Sequence, residues 1–261
     1  MPLLRCAHIL FLALILPLAG IGPLLVSSAR ADVIELRADP WCPFNCTPGS
    51  AAPGFMVELA REALAPFGHE VRYAQLNWSR SLVQVRSGEI TGLIGTDASE
   101  VPELIFSPPL GQYQEALGFR RGELREITRI SELTGLRLGA TRDYDYTTEV
   151  LEHIAARSPE PGEIQLLSGN DALARNLRKL LAGRIDVMVE EHSALLYQLQ
   201  QLGLQDQVVL LPHAQSSSLH IGFSPRHPRS ALYVRQMEQG LAELRRSGRY
   251  RAILARYGLK G

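Results

Sequence analysis

Cysteine, lysine and any excess of charge are what this chain has least of, and each scarcity removes a class of function. Three cysteines in 261 residues cannot knit a disulfide scaffold, and no His/Cys cluster follows them at zinc spacing. His69, His153, His192, His213, His220 and His227 are scattered without ligand spacing, so no metal site and no cofactor is expected. Lysine occurs only at positions 179 and 260, and the 27 basic residues, nearly all arginine, balance 27 acidic ones. A neutral chain without a basic stripe has no electrostatic footprint for nucleic acid or an anionic membrane. A nucleophile elbow, a phosphate-cradling glycine loop, a repeat of solenoid length and a low-complexity tract are all missing, which removes several common enzyme and array classes.

What is there begins with an export signal. Arg5 and His8 precede an apolar stretch from Ile9 to Leu18, and Ala29-Arg30-Ala31 supplies small residues at the −3 and −1 positions. That order predicts a cleaved signal peptide over residues 1–31 and a periplasmic mature chain starting at Asp32. An uncleaved anchor is the competing reading, because apolar residues continue to Val26. Pro17, Gly20, Gly22 and Pro23 interrupt the run and favour cleavage. Loss of Arg5 and Arg30 leaves the mature chain slightly acidic. Cys42 and Cys46 then lie four residues apart in an oxidising compartment, flanked by Pro43 and Pro48. A disulfide is expected there, with two free thiols or a metal pair as the alternatives.

Strand-like and helix-like runs alternate through most of the mature chain. Val33–Leu36, Val71–Tyr73 and Thr91–Gly95 read as strands. Met56, Leu59, Ala60, Ala63 and Leu64 recur at helical spacing, and Ser79 is a candidate cap for a helix ending at Gly88. The pattern returns with strands at 136–140, 164–167 and 185–189 and helices at 146–157, 172–181 and 193–202. An extended stretch at 220–223 precedes helices from Ser230 to Arg246 and from about Tyr250. Such alternation predicts an α/β fold with largely parallel strands.

Four stretches in order carry a family resemblance. They are Pro43-Phe44 with Gly54-Phe55-Met56-Val57-Glu58-Leu59-Ala60; Trp78-Ser79-Arg80 with Ser87-Gly88-Glu89; Phe106-Ser107-Pro108-Pro109 with Glu132-Leu133-Thr134-Gly135; and Leu180 to Asp186 with Glu190-Glu191 and Tyr197. In these the chain resembles the extracellular solute-binding proteins of the amino-acid type, receptors of ABC importers. The resemblance implies a type II periplasmic-binding-protein fold, with two mixed sheets flanked by helices and joined by a two-strand hinge. Lobe one would hold residues 32–115 and 219–261, lobe two residues 116–218, with the chain crossing near 112–117 and 217–221. It also implies a monomer that takes a small polar ligand, an amino acid or a related zwitterion or organic anion. Its partner would be a membrane permease or a membrane sensor. An enzyme of the dehydratase kind on the same fold is the remaining alternative.

The site residues implied by the resemblance come with local alternatives. Trp41 and Phe44 are candidate cleft aromatics, against packing around the cysteine loop. Trp78 with Arg80 is a candidate wall and guanidinium clamp. Gly95, Thr96 and Asp97 follow a strand end, where Asp97 can instead cap a turn. Arg142, Tyr144 and Asn170 are candidates in lobe two; Asn170 and the neighbouring Asp171 can also serve as helix caps. Glu191 stands where such receptors hold a ligand ammonium, with Glu190 one residue away. Three positions depart from the family pattern: Glu100 occupies the place of its carboxylate-gripping arginine, Met56 that of an acidic residue, and Thr91 that of an aspartate.

Overall fold

A computed structural model describes residues 31–142, 144–169, 171–213 and 216–260. The expected signal peptide up to Arg30, Asp143 and the site candidate Asn170 lie outside the described residues. Among the described residues no helix is long and apolar enough to cross a membrane.

β1 (Val33–Ala38) buries Ile34, Leu36 and Ala38 on one face, because successive strand side chains point to opposite sides. After a loop from Asp39 to Gly54, α1 (Phe55–Leu64) lays Met56, Leu59, Ala60 and Ala63 into the same core. β2 (Glu70–Gln75), α2 (Trp78–Ser87) and β3 (Gly92–Thr96) continue the alternation, and the strands pair in parallel in the order β2-β1-β3. α2 is capped by Asn77, whose side chain accepts the Arg80 N–H, rather than by Ser79. Asn77 has the extended backbone that an N-cap requires, whereas Ser79 already lies inside the helix. β4 (Ile105–Phe106) and β5 (Gly111–Tyr113) complete this first pass.

The chain then enters a second sheet. β6 (Glu115–Arg120) leads to β7 (Leu138–Thr141), α3 (Thr148–Arg157), β8 (Ile164–Leu167), α4 (Ala172–Leu181), β9 (Val187–Glu191), α5 (His192–Leu202) and β10 (Val208–Pro212). The order is β10-β6-β9-β7-β8, with β9, β7 and β8 parallel and β6 antiparallel to both of its neighbours. β11 (Ser217–Phe223) returns to the first sheet, antiparallel to β3, β4 and β5, and α6 (Ser230–Arg246) and α7 (Arg249–Arg256) close the chain. Both sheets are therefore mixed. Of residues 112–117, expected as a crossover, only Gln114 stands between strands; Glu115 already pairs with Glu191.

Each sheet is covered on both faces. Val187 and Val189 join the cluster under α3, while Met188 between them joins the cluster under α4 and α5. In the first sheet, Ile94 faces the α1 side and Leu93 the α2 side. This two-sided burial explains why β3 and β9 read as continuous apolar runs rather than alternating ones.

Candidate functional site: a cleft between the two sheets

Between the sheets lies a cleft of about 420 Å³ that draws residues from both. The first sheet contributes Asp39 and Trp41 after β1, Trp78 at the start of α2, Gly95 and Thr96 at the end of β3, and Asp97 and Glu100 after it. The second contributes Tyr144 to Thr148 before and at the start of α3, and Glu190 on β9. Tyr113 and Ser217, paired across β5 and β11 beside the crossovers, form its base.

The loop carrying Trp41 is tied down locally. Trp41 and Asn45 exchange both backbone hydrogen bonds, at 2.9 and 3.0 Å, and the Asn45 amide donates to the Asp39 carbonyl. The Cys42–Pro43 peptide is cis, and Cys42 and Cys46 stand at disulfide distance with their Cα atoms 4.8 Å apart. Phe44 is 1% exposed and does not line the cleft. It stacks behind Trp41 at 4.1 Å between ring centroids and leans on Phe55 at 5.2 Å. Its part is to hold the Trp41 ring toward the cleft. Gly95 has φ of 80°, a left-handed conformation that favours glycine, and the Trp41 ring packs over this turn, where a Cβ would meet it at an ordinary contact distance of 3.5 Å.

Carboxylates stand in fixed positions around these rings. Trp78 Nε1 donates to Glu100 Oε1 at 2.7 Å, and Thr96 Oγ1 donates to its other oxygen at 3.3 Å. Asp97 caps its own turn, accepting from the Ser99 N–H at 2.7 Å and the Glu100 N–H at 3.2 Å. Glu190, 2% exposed, accepts from the Glu191 N–H at 3.0 Å and Thr141 Oγ1 at 3.2 Å. Burial raises its carboxyl to about 8, helped by the charges of Glu191 and Glu115. Burial also raises the carboxyls of Asp39 and Glu100, the latter pushed further by Asp145. Tyr113, Tyr144 and Tyr146 are all raised, chiefly by burial and then by neighbouring carboxylates, so their hydroxyls stay protonated.

The structure brings together Trp41, Trp78, Gly95, Thr96, Asp97 and Tyr144 from the expected set. Arg80 and Arg142 are exposed and, with Glu191, stand apart from the cleft lining. The first turn of α2 presents Trp78 to the cleft and Arg80 to solvent. Glu191 accepts the Ala194 N–H at 2.7 Å and so caps α5, which leaves Glu190 as the cleft carboxylate of this pair. Strand alternation puts the two side chains on opposite faces of β9. Sequence reasoning passed over Asp39, Asn45, Tyr113 and Asp145. Asp145 had a visible signal, since it lies between Tyr144 and Tyr146 just ahead of a helix; Asp39 and Tyr113 reach the cleft only through strand pairing.

No family model and no curated protein matches the chain. Solved structures do. A histidine kinase sensor domain with similarity to periplasmic binding proteins is 22% identical, with 88% of this chain and 97% of that chain covered and a TM-score of 0.63. An ABC uptake transporter substrate-binding protein from Streptococcus pneumoniae with bound histidine is 16% identical over 90% of this chain and 94% of that one, TM-score 0.66. An ancestral arginine-binding protein bound to glutamine is 16% identical over 86% and 97%, TM-score 0.63. At these identities the likeness establishes the fold: this chain has the two-lobed periplasmic-binding-protein architecture.

Proposed function

We propose that the protein is an exported solute-binding protein that encloses a small polar ligand between its lobes, without transforming it, and delivers it to a membrane ABC importer. The single observation carrying this reading is the cleft itself, which is lined by both sheets and floored by the paired strands at the crossovers. A ligand touching both walls is withdrawn from water when the lobes, residues 32–115 with 219–261 and residues 116–218, bend together. The proteins of like fold that are described as binding histidine or glutamine support small-molecule capture. We further propose that residues 1–31 direct export to the periplasm and that Cys42 and Cys46 are bonded there.

The test is a thermal-shift panel of amino acids, amines and carboxylates on the purified protein. A saturable rise in melting temperature with one chemical class is expected, because ligand binding to the folded state stabilises it by mass action. No rise with any class would overturn the reading. The sensor-domain likeness favours one alternative output, in which the liganded protein contacts a membrane kinase. Cross-linking in native membranes to a permease, or instead to a kinase, separates the two.

A further inference from the structure

The described lining of the cleft contains Asp39, Asp97, Glu100, Asp145 and Glu190 and no arginine, lysine or histidine. Resting on the solute-capture reading, we infer that the ligand is a small organic cation that carries no carboxylate, an amine of the decarboxylated amino-acid or polyamine class.

Four independent features support this charge. First, two helix ends that could hold an anion are filled by the chain's own carboxylates, while α2, which opens into the cleft at Trp78, is capped by the Asn77 side chain. At the start of α3 the Thr147 N–H and hydroxyl both donate to Glu115, the latter at 2.7 Å, and α5 is capped by Glu191. Second, the walls are aromatic, with Trp41, Trp78, Tyr113, Tyr144 and Tyr146 among the lining residues, and aromatic rings attract cations in a desolvated site. Third, Asn45, 1% exposed and lining the cleft, has its Oδ1 buried without a hydrogen-bond donor. An acceptor left without a donor matches an ammonium or guanidinium N–H. The buried Trp41 Nε1, also without a partner, adds one donor for a neutral acceptor on the ligand. Fourth, the carboxylates come from both walls, and Asp145 acts on Glu100 across the cleft as a like charge. A cation between them turns that repulsion into attraction and draws the lobes together, whereas a ligand carboxylate adds to it.

Matched pairs that differ by one carboxylate test this directly: agmatine against arginine, cadaverine against lysine and histamine against histidine, by titration calorimetry on the full protein. The amine of at least one pair is expected to bind at least about tenfold tighter than its amino acid, the scale of a misplaced charge in a desolvated site. Asp145→Asn and Glu190→Gln should each weaken that amine by about tenfold. Asp206→Asn, a fully exposed acid outside the cleft, should leave it unchanged, which excludes nonspecific charge attraction. Tighter binding of the amino acids, or binding of succinate or glutamate with no response to amines, overturns the cation assignment and leaves solute capture standing. Amine affinity indifferent to both cleft variants, or lowered equally by Asp206→Asn, also overturns it. Silence from every probe overturns both readings together.

Discussion

Glu190 lies near the end of β9 with its carboxyl in the cleft wall, whose described lining holds no basic side chain. Its two acceptor contacts, the Glu191 N–H and the Thr141 hydroxyl, only partly offset the loss of water, so its proton is held to about pH 8. The neighbouring Glu191 is raised to about 7 by the same burial, and the two titrate as a coupled pair. In the unfolded chain a glutamate loses its proton near pH 4.3. Between about pH 4.3 and 8 the folded state therefore binds more protons than the unfolded state, and stability falls as the pH rises. The glutamine of Glu190→Gln has no proton to lose, so this variant should become progressively more stable than the parent from about pH 4.3 upward, levelling above pH 8. Melting curves of both proteins from pH 5 to 8.5 check this, and a constant gap would contradict it. In the parent, a bound cation favours the ionised carboxylate, so cation affinity should rise over the same range while protons are released.

At the scale of elements, α1 and α6 cross closely because Gly240 lies at their contact. A Cβ at position 240 would stand 2.1 Å from the Ala63 carbonyl oxygen and 2.6 Å from its Cα. An alanine for glycine inside an exposed helix usually stabilises by about 1 kcal/mol. Here the obstacle is backbone, so Gly240→Ala should instead lower stability by about 1–3 kcal/mol, as overpacked cores do. Urea unfolding measures it, and a gain would show that the helices can separate at no cost. The cysteine loop is the second element whose role can be tested. Closing so short a loop restricts the unfolded chain by about 2 kcal/mol, and the bond also braces the turn that presents Trp41. Reduction should lower the melting temperature and weaken ligand binding. A mass spectrum without the two-hydrogen loss would refute the bond.

For the whole molecule, the two crossovers at Gln114 and between Pro212 and Ser217 are the places where the backbone passes from one sheet to the other. Away from the cleft the lobes also touch through side chains, with Tyr197 of α5 beside Tyr257 just after α7 at 6.3 Å between ring centroids. On the solute-capture reading, closure on a ligand bends the crossovers and shifts this rear contact. Small-angle scattering is expected to show a smaller radius of gyration with the tightest-binding ligand than without it; an unchanged radius at saturation would argue for a rigid, already closed cleft. The proposed capture and the bilobed shape belong together at this scale, because a carrier needs to surround its cargo.

Much of this fold is legible in the sequence. The apolar periodicity of α1, α4 and α6 and the buried runs of β3 and β9 follow from local geometry, since side-chain spacing along one element decides which face is apolar. β6 was hidden in an expected crossover and β10 went unread, because a strand is defined by partners that lie far off in sequence. The same holds for the site. Trp41, Trp78 and Tyr144 could be nominated from short stretches rich in aromatic and turn residues. The sign of the cleft could not, because Arg80 and Trp78 are two residues apart yet one faces solvent and the other the cleft. Which carboxylates meet, and that no guanidinium joins them among the described lining residues, depends on packing two lobes against each other. The sequence alone determined an α/β chain of alternating strands and helices; only the tertiary structure decided that its acidic residues gather along one cleft, because charge at a site is a sum over residues that folding, and not adjacency, brings together.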